Sequence, residues 1–346
     1  MSTPLFSLLT PDQVPVVEKA LHEAFGSSTL TAAAPLTGGL SASAVYKIMV
    51  QDQNYVLKLD RPSAYSARTS FENLLLASAA GIAPPVYYHD AAGGVSISGY
   101  IEVRPVQDAW PADQLVNQLA GTLKAIHSLP YTGTATDLKA TIDTMISRFQ
   151  QSGMLWGPAF SECFELYEKI RYSYPWHDTG KVFSHNDLNP NNILCDGKRI
   201  WVVDWDVASL NDRYIDLANV ANYFVHAPEQ QKAFLHAYFG HAADARQTAC
   251  FHIMRQVCRI IYALLMFQLA AQGRPAGFAH HQDMEGFNLQ TFGALMGKGQ
   301  LSLATYEGQL FYGKALLNEA VQQMRQPYFQ EALAVLEQQQ ESANGI

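Results

Sequence analysis

The chain has 346 residues, 48% hydrophobic and 16% charged, with 23 Lys and Arg against 31 Asp and Glu and a formal net charge of −8. That length suits one large two-lobed domain or two ordinary ones, and the apolar share excludes a disordered chain. The acidic balance excludes a partner bound through a nucleic-acid backbone, which needs a basic face, but leaves room for a local cleft holding a small polyanion.

From Pro11 to Phe25 apolar residues recur at helical spacing (Val14, Val17, Leu21, Phe25), and Gly26 supplies a stop. Leu36-Thr-Gly-Gly-Leu-Ser41 then reads as a glycine turn between strands. The alternating stretches Ala44–Val50 and Asn54–Leu59 form a hairpin around Gln51 to Gln53. Ser66–Ala80 returns to helical character, and Val86–His89 and Val95–Val103 are two more strands flanking Gly93-Gly94. Beyond Pro105 the chain turns helical: Ala112–Leu129, Leu138–Phe149 and Phe160–Arg171 carry helical apolar spacing. A β-rich island, Lys181–Asp206, interrupts them, and helices resume after Ile215. The composition shift near residues 99 to 105 sets the expected boundary: a small β-rich lobe, 1–102, precedes a larger mainly helical lobe, 103–346.

No Lys or Arg precedes Lys19, so the start lacks the charged region of a secretory signal. The most apolar stretch, 248–271, is interrupted by Arg255, Gln256 and Arg259. Its clean run Ile260–Phe267 falls short of the roughly 20 residues that span a bilayer, so a buried helix is expected rather than membrane insertion. Cys163, Cys195, Cys250 and Cys258 form no CxxC pair, which fits free thiols in a reducing cytoplasm.

The chemistry concentrates in the island. Ser184-His-Asn-Asp-Leu-Asn-Pro-Asn-Asn-Ile-Leu194 fits H-x-D-x-x-x-x-N with His185, Asp187 and Asn192, and Trp201-Val-Val-Asp-Trp-Asp206 ends an apolar strand on Asp204. Phosphoryl transfer needs a carboxylate to orient the attacking hydroxyl and two oxygen ligands for Mg²⁺ on the nucleotide phosphates. Asp187 fits the first role, and Asn192 and Asp204 fit the second. Asn-Pro-Asn-Asn is also good turn chemistry, but turns alone do not explain the ordered set between apolar strands. Upstream, Lys58 sits among apolar strand residues, suited to the α- and β-phosphates, and Glu72 on the next helix is its expected partner. Gly38, Gly39 and Ser41 suit backbone approach to phosphates, though a simple hairpin turn explains the glycines too.

These motifs, in this order over residues 30 to 225, resemble the kinase-like small-molecule phosphotransferases: aminoglycoside phosphotransferases, choline/ethanolamine kinases and thiamine kinases. Asn211-Asp-Arg-Tyr-Ile-Asp216-Leu-Ala-Asn219, Gly81-Ile-Ala-Pro84 and Ile101-Glu102 look more like the choline kinase branch. The resemblance implies an α+β, protein-kinase-like bilobal fold with ATP in the cleft. Adenine would lie against the backbone of Tyr100, Ile101, Glu102 and Val103, with His185 and Asp216 bracing the catalytic loop. Two positions depart from the choline-like pattern: Ala42 stands where Asn often follows the glycine turn, and Asp206 where Glu is usual.

For the acceptor, aromatic faces can hold an amine, and Tyr223, Phe224 and Tyr262, with Asp206, are the candidate contacts. Helical spacing explains the same aromatics as core. Only scattered acids (Asp283, Glu285, Glu307, Glu319) are available for an aminoglycoside, which favours a small cationic alcohol of the choline, ethanolamine or thiamine kind. The alternatives are an aminoglycoside O-phosphotransferase and a catalytically inactive nucleotide-binding pseudo-kinase. The intact set Lys58, Asp187, Asn192 and Asp204 argues against the latter.

Other signals carry less. The sequence has no G-x-x-x-x-G-K-[ST] loop, and Gly297-Lys-Gly299 is an incomplete dinucleotide fingerprint. His280-His281 with Asp283 and Glu285 lacks ligand spacing and reads as an exposed loop, while His127 closes a helix where a C-terminal histidine is favourable.

Overall fold

Alternating burial in the first hundred residues builds an antiparallel sheet with one apolar face. The computed structural model describes residues 8–36, 43–60, 66–177, 180–275 and 277–344. By compactness the chain divides into one unit of residues 1–131 with 185–208 and a second of 132–184 with 209–346. The composition shift near 99 to 105 and this division differ, because a helix after Pro105 and the island's catalytic stretch group with the sheet.

In the first unit, α1 (Gln13–Phe25) precedes β1 (Ala32–Pro35), β2 (Ala44–Val50), β3 (Gln53–Leu59), α2 (Ser66–Ala79), β4 (Val86–Asp90) and β5 (Val95–Gly99). The strands run in the order β1-β2-β3-β5-β4, every pair antiparallel. Gln51 and Asp52 both take positive φ, 48° and 60°, which turns β2 into β3 with the twist a tight hairpin needs. Ile48, Val50, Leu57, Leu59, Val95 and Ile97 form a buried face, closed by Val17, Ala20 and Leu21 of α1.

The strand expected over Val95–Val103 ends at Gly99. There the Gly99 N–H turns to Pro85 O at 2.8 Å, and the Arg104 N–H reaches Cys195 O at 2.8 Å, drawing the chain off the sheet. Short α3 (Val106–Ala109) and α4 (Ala112–His127) follow; α4 buries Leu115, Leu119, Leu123 and Ile126 at the expected spacing and carries His127 in its last turn. A hairpin of β7 (Ile193–Cys195) and β8 (Ile200–Val202) completes this unit.

The second unit pairs β6 (Lys181–Ser184) with β9 (Ser209–Asp212) and is otherwise helical. Its helices are α5 (Leu138–Ser152), α6 (Pro158–Ser173), α7 (Arg213–Phe224), α8 (Pro228–Phe239), α9 (Ala245–Gln272), α10 (Leu289–Gly297), α11 (Tyr306–Met324) and α12 (Pro327–Asn344). Asp244 and Gln247 form a capping box at the start of α9. This helix is long and apolar enough to cross a membrane by length and composition, yet 78% of its most apolar window is buried against α5, α7, α11 and α12. It is a core helix, as its interrupting arginines suggested. Gly313 of α11 permits the close packing: a Cβ there would lie 2.5 Å from the Phe267 ring. All four cysteines are buried and free.

Candidate functional site

Lys58 owes its position to the pleat. β3 is the central strand, its neighbours Leu57 and Leu59 point into the core, and Lys58 therefore projects from the opposite face. Its ammonium meets Asp206 at 2.9 Å, Asp204 at 3.1 Å and Asp60 at 3.7 Å. Burial would lower the lysine's pKa, but the three carboxylates outweigh it and hold the ammonium well above its ordinary value. Burial lifts the Asp204 carboxyl above the usual range despite Lys58. Partial desolvation would raise Asp206, whose side chain is 40% exposed, but Lys58 and the Ser70 hydroxyl hold it below that range.

Asp60, just past β3, is set by its N–H on Gly94 O at 2.8 Å and accepts from Ser43 Oγ at 2.5 Å. Gly94 has φ 64°, and a Cβ there would stand 2.6 Å from Asp60 O, so only glycine fits. From α2, Ser70 donates to Asp206, and Asn73 Nδ2 donates to Trp205 O at 3.4 Å and Ala208 O at 2.9 Å. Glu72, the expected partner of Lys58, has an exposed side chain; aspartates surround the ammonium instead.

The loop from His185 is fixed by its own polar groups. His185 is fully buried; its Nδ1 accepts the Asp187 N–H at 3.3 Å, so Nε2 carries the proton and donates to Val203 O at 3.0 Å. Its ring meets the edge of Trp205 at 4.7 Å. The Asp187 carboxylate accepts Asn189 Nδ2 on one oxygen and Asn192 Nδ2 on the other, both at 3.0 Å. Asn192 Nδ2 also donates to Asp187 O at 2.8 Å, and Val203 N–H donates to Asn192 O at 3.0 Å. Asn186 (φ 68°) and Asp204 (φ 65°) both take the left-handed conformation, which Asn and Asp tolerate best among residues with a Cβ and which concentrates at functional sites.

Asp187, Asn192, Asp204 and Lys58 thus belong to one bonded network within one unit. Asp60, Ser70 and Asn73 join it without having been read from the sequence. The donor set suits a divalent cation accompanied by phosphates. The amide N–H groups of Asn192 face Asp187, which leaves its Oδ1 as the ligand atom, and three carboxylates surround one ammonium. Among the described residues no cluster of three His, Cys, Asp or Glu side chains is placed to hold a metal by itself.

The remaining expectations fall as follows. Gly38, Gly39 and Ser41, with Ala42, lie outside the described residues. In the segment 101–103 that leaves β5, the backbone of Ile101, Glu102 and Val103 makes no backbone hydrogen bond among the described residues, and Lys47 lies over the Tyr100 ring at 4.1 Å. Asp216 is fully buried in α7 of the helical unit. There the Tyr223 hydroxyl meets the Tyr312 hydroxyl at 3.0 Å, and Phe224 and Tyr262 are half-buried. The His281–Glu285 loop is pinned to α11 by Lys314 Nζ, which donates to the carbonyls of His281 at 2.5 Å and Asp283 at 2.6 Å. Gly297 and Gly299 lie at the end of α10.

Residues 32–250 match the phosphotransferase enzyme family, APH. No curated protein matches the sequence. Among solved structures, a choline/ethanolamine kinase family protein from Mesorhizobium loti superposes with TM-score 0.71 at 17% identity, covering 94% of this chain and 99% of that one. A choline kinase from Cryptosporidium parvum gives 0.63 at 13% identity, covering 88% and 92%. A streptomycin–ATP–APH(2'')-IIa ternary complex gives 0.56 at 16%, covering 75% and 90%. At such identities the structures establish a shared kinase-like fold, and the family match adds the chemistry. The chain, a small β-sheet unit followed by a mainly helical one, belongs to the APH phosphotransferase enzyme family.

Proposed function

We propose that this phosphotransferase moves the γ-phosphate of ATP to a hydroxyl of a small molecule, with Asp187 as the base. One observation carries the reading. The Asp187 carboxylate is oriented by two amides, and one of these, Asn192, keeps its side-chain oxygen clear of that bond while its backbone fixes Val203 beside Asp204. Asp187 accepts the hydroxyl's proton and aims its oxygen. Lys58 is held ready as an ammonium and neutralises phosphate oxygens, while Asp60, Asp204 and Asp206 keep it charged. Mg²⁺, when bound by Asn192 and Asp204, would offset the charge of the nucleotide phosphates. The unpaired backbone at 101–103 supports adenine recognition there, and the glycine segment with Gly38, Gly39 and Ser41 is the proposed phosphate cover. His185 serves as a support of the loop through its bonds with the Asp187 N–H and Val203 O.

The acceptor is proposed to be a small cationic alcohol. The acidic surplus of the chain suits a cation of either kind, and the aromatic residues Tyr223, Phe224 and Tyr262 of the helical unit, with only scattered acids there (Asp283, Glu285, Glu307, Glu319), support the small alcohol over an aminoglycoside. ADP release measured across choline, ethanolamine, thiamine and aminoglycosides tests it. Asp187→Asn is expected to lower turnover by about 10²–10⁴-fold while MgATP binding persists. A folded variant that loses nucleotide binding instead removes Asp187 from the role of base.

A further inference from the structure

The helical unit holds two cations that phosphoryl transfer as described does not use. Arg255 and Arg259 stand four residues apart on α9, so their side chains share one face of the helix. They are 8% and 7% exposed. Like charges at this spacing repel, and buried charges are ordinarily paired. Here neither guanidinium forms an ion pair among the described residues. Arg255 donates to neutral groups, Asn222 Oδ1 at 3.0 Å and Ala221 O at 3.4 Å, and faces the Phe251 ring at 5.7 Å. Arg259 donates to Gln256 Oε1 at 2.7 Å, and its buried Nε–H has no partner.

The neighbouring elements supply negative charge only from beyond ion-pair distance. Glu319 of α11 acts on both arginines from beyond ion-pair distance and accepts a hydrogen bond from Gln323 at 2.9 Å. Tyr312 of α11 and Tyr328 of α12 feel the charge as phenols. His252, one turn before Arg255, is pushed down to about 4 by burial and by Arg255, so it is neutral. Burial and Arg259 together push Arg255 down to about 10, and burial lowers Arg259 as well, which is the direction expected of cations lacking a counter-charge.

We infer that Arg255 and Arg259 form a binding site for a small oxyanion, a carboxylate or phosphate group, within the helical unit. A planar guanidinium with a free Nε–H presents the fork that such groups accept in two parallel hydrogen bonds. Tyr312 and Tyr328 are near enough to feel the arginines, but their hydroxyls are engaged with Tyr223 and Gln323. The anion is a small ligand separate from the cationic acceptor, held within the helical unit.

Isothermal titration of the whole chain with inorganic phosphate and with malonate, at constant ionic strength, tests the site. Wild type is expected to bind one equivalent, and Arg259→Gln to bind about ten- to hundredfold more weakly. Arg325→Gln, at an exposed ion pair with Glu162, and Lys58→Met, at the nucleotide site, should bind as wild type does. Removing an uncompensated buried charge should also leave Arg259→Gln folded with an unchanged or higher Tm, and without the rise that phosphate gives wild type. Arg259→Met, similar in volume, covers the case in which the glutamine variant fails to fold. Wild type that binds neither anion at millimolar concentration, or binding that survives in Arg259→Gln or disappears in Lys58→Met, overturns the inference.

Discussion

Lys58 and Arg259 are both cations withdrawn from water, and the two units of the molecule treat them in opposite ways. Lys58 stands within 2.9, 3.1 and 3.7 Å of three carboxylates, which outweigh burial and raise its pKa. Arg259 has a glutamine, phenols and a distant glutamate, so burial prevails and its pKa falls. The first site carries more anion than it needs and suits a metal cation that arrives with phosphates. The second carries more cation than its neighbours balance and suits an oxyanion. Charge left over in a buried place indicates a ligand, and the sign of the excess indicates which kind.

Exchanging the anchor of the first site gives the largest effect. Lys58→Met should lower kcat/KM by about 10²–10³-fold, because it removes a preorganised cation from the phosphates and leaves Asp204 and Asp206 unopposed. A loss below tenfold in steady-state kinetics would mean that the aspartates, rather than the lysine, define this site. Next, Gly94→Ala should destabilise the sheet unit by about 1–3 kcal/mol through the strained φ and the clash with Asp60 O, measured by urea unfolding. Unchanged stability would show that Asp60 is not fixed by that contact.

The pH response separates the two cations further. A lysine whose folded pKa lies above its unfolded value contributes stability in full below about 10.5, and loses it as pH rises through the folded value. Wild type should therefore lose Tm more steeply than Lys58→Met above pH 10.5. Parallel curves would deny the ion cluster any net stabilising role. The smallest effect belongs to Glu72→Gln, expected to change kcat/KM by less than about threefold because exposed charges contribute little. A larger loss would restore glutamate as the partner of Lys58.

Much of the site was legible because its spacing is local to the chain. His185, Asp187, Asn192 and Asp204 sit on one loop and hairpin whose bonds close over short separations, and the alternation of β3 places Lys58 opposite the core. Asp60, Ser70 and Asn73 were not legible, because they depend on long-range register: β3 on Gly94, and α2 on the loop after Asp204. Helical phase decides between the residues of α2. Ser70 and Asn73, three apart, face the loop, and Glu72 falls on the exposed side. The end of β5 was set by Pro85 and Cys195, partners the local pattern could not name. Edge strand β1 has only alanines and a proline, without a strand signature. Arg255 and Arg259 registered only as interruptions of an apolar run, since their significance lies in what surrounds them once α9 is buried.

Calorimetric titration of the wild-type chain with ATP, in the presence and absence of Mg²⁺, tests the central claim most directly. The account predicts one nucleotide site whose affinity depends on the metal, weakened together in Asn192→Ala and Asp204→Ala and retained in Asp187→Asn. A folded wild-type protein that binds no MgATP, or binds it equally well without Mg²⁺, would contradict it.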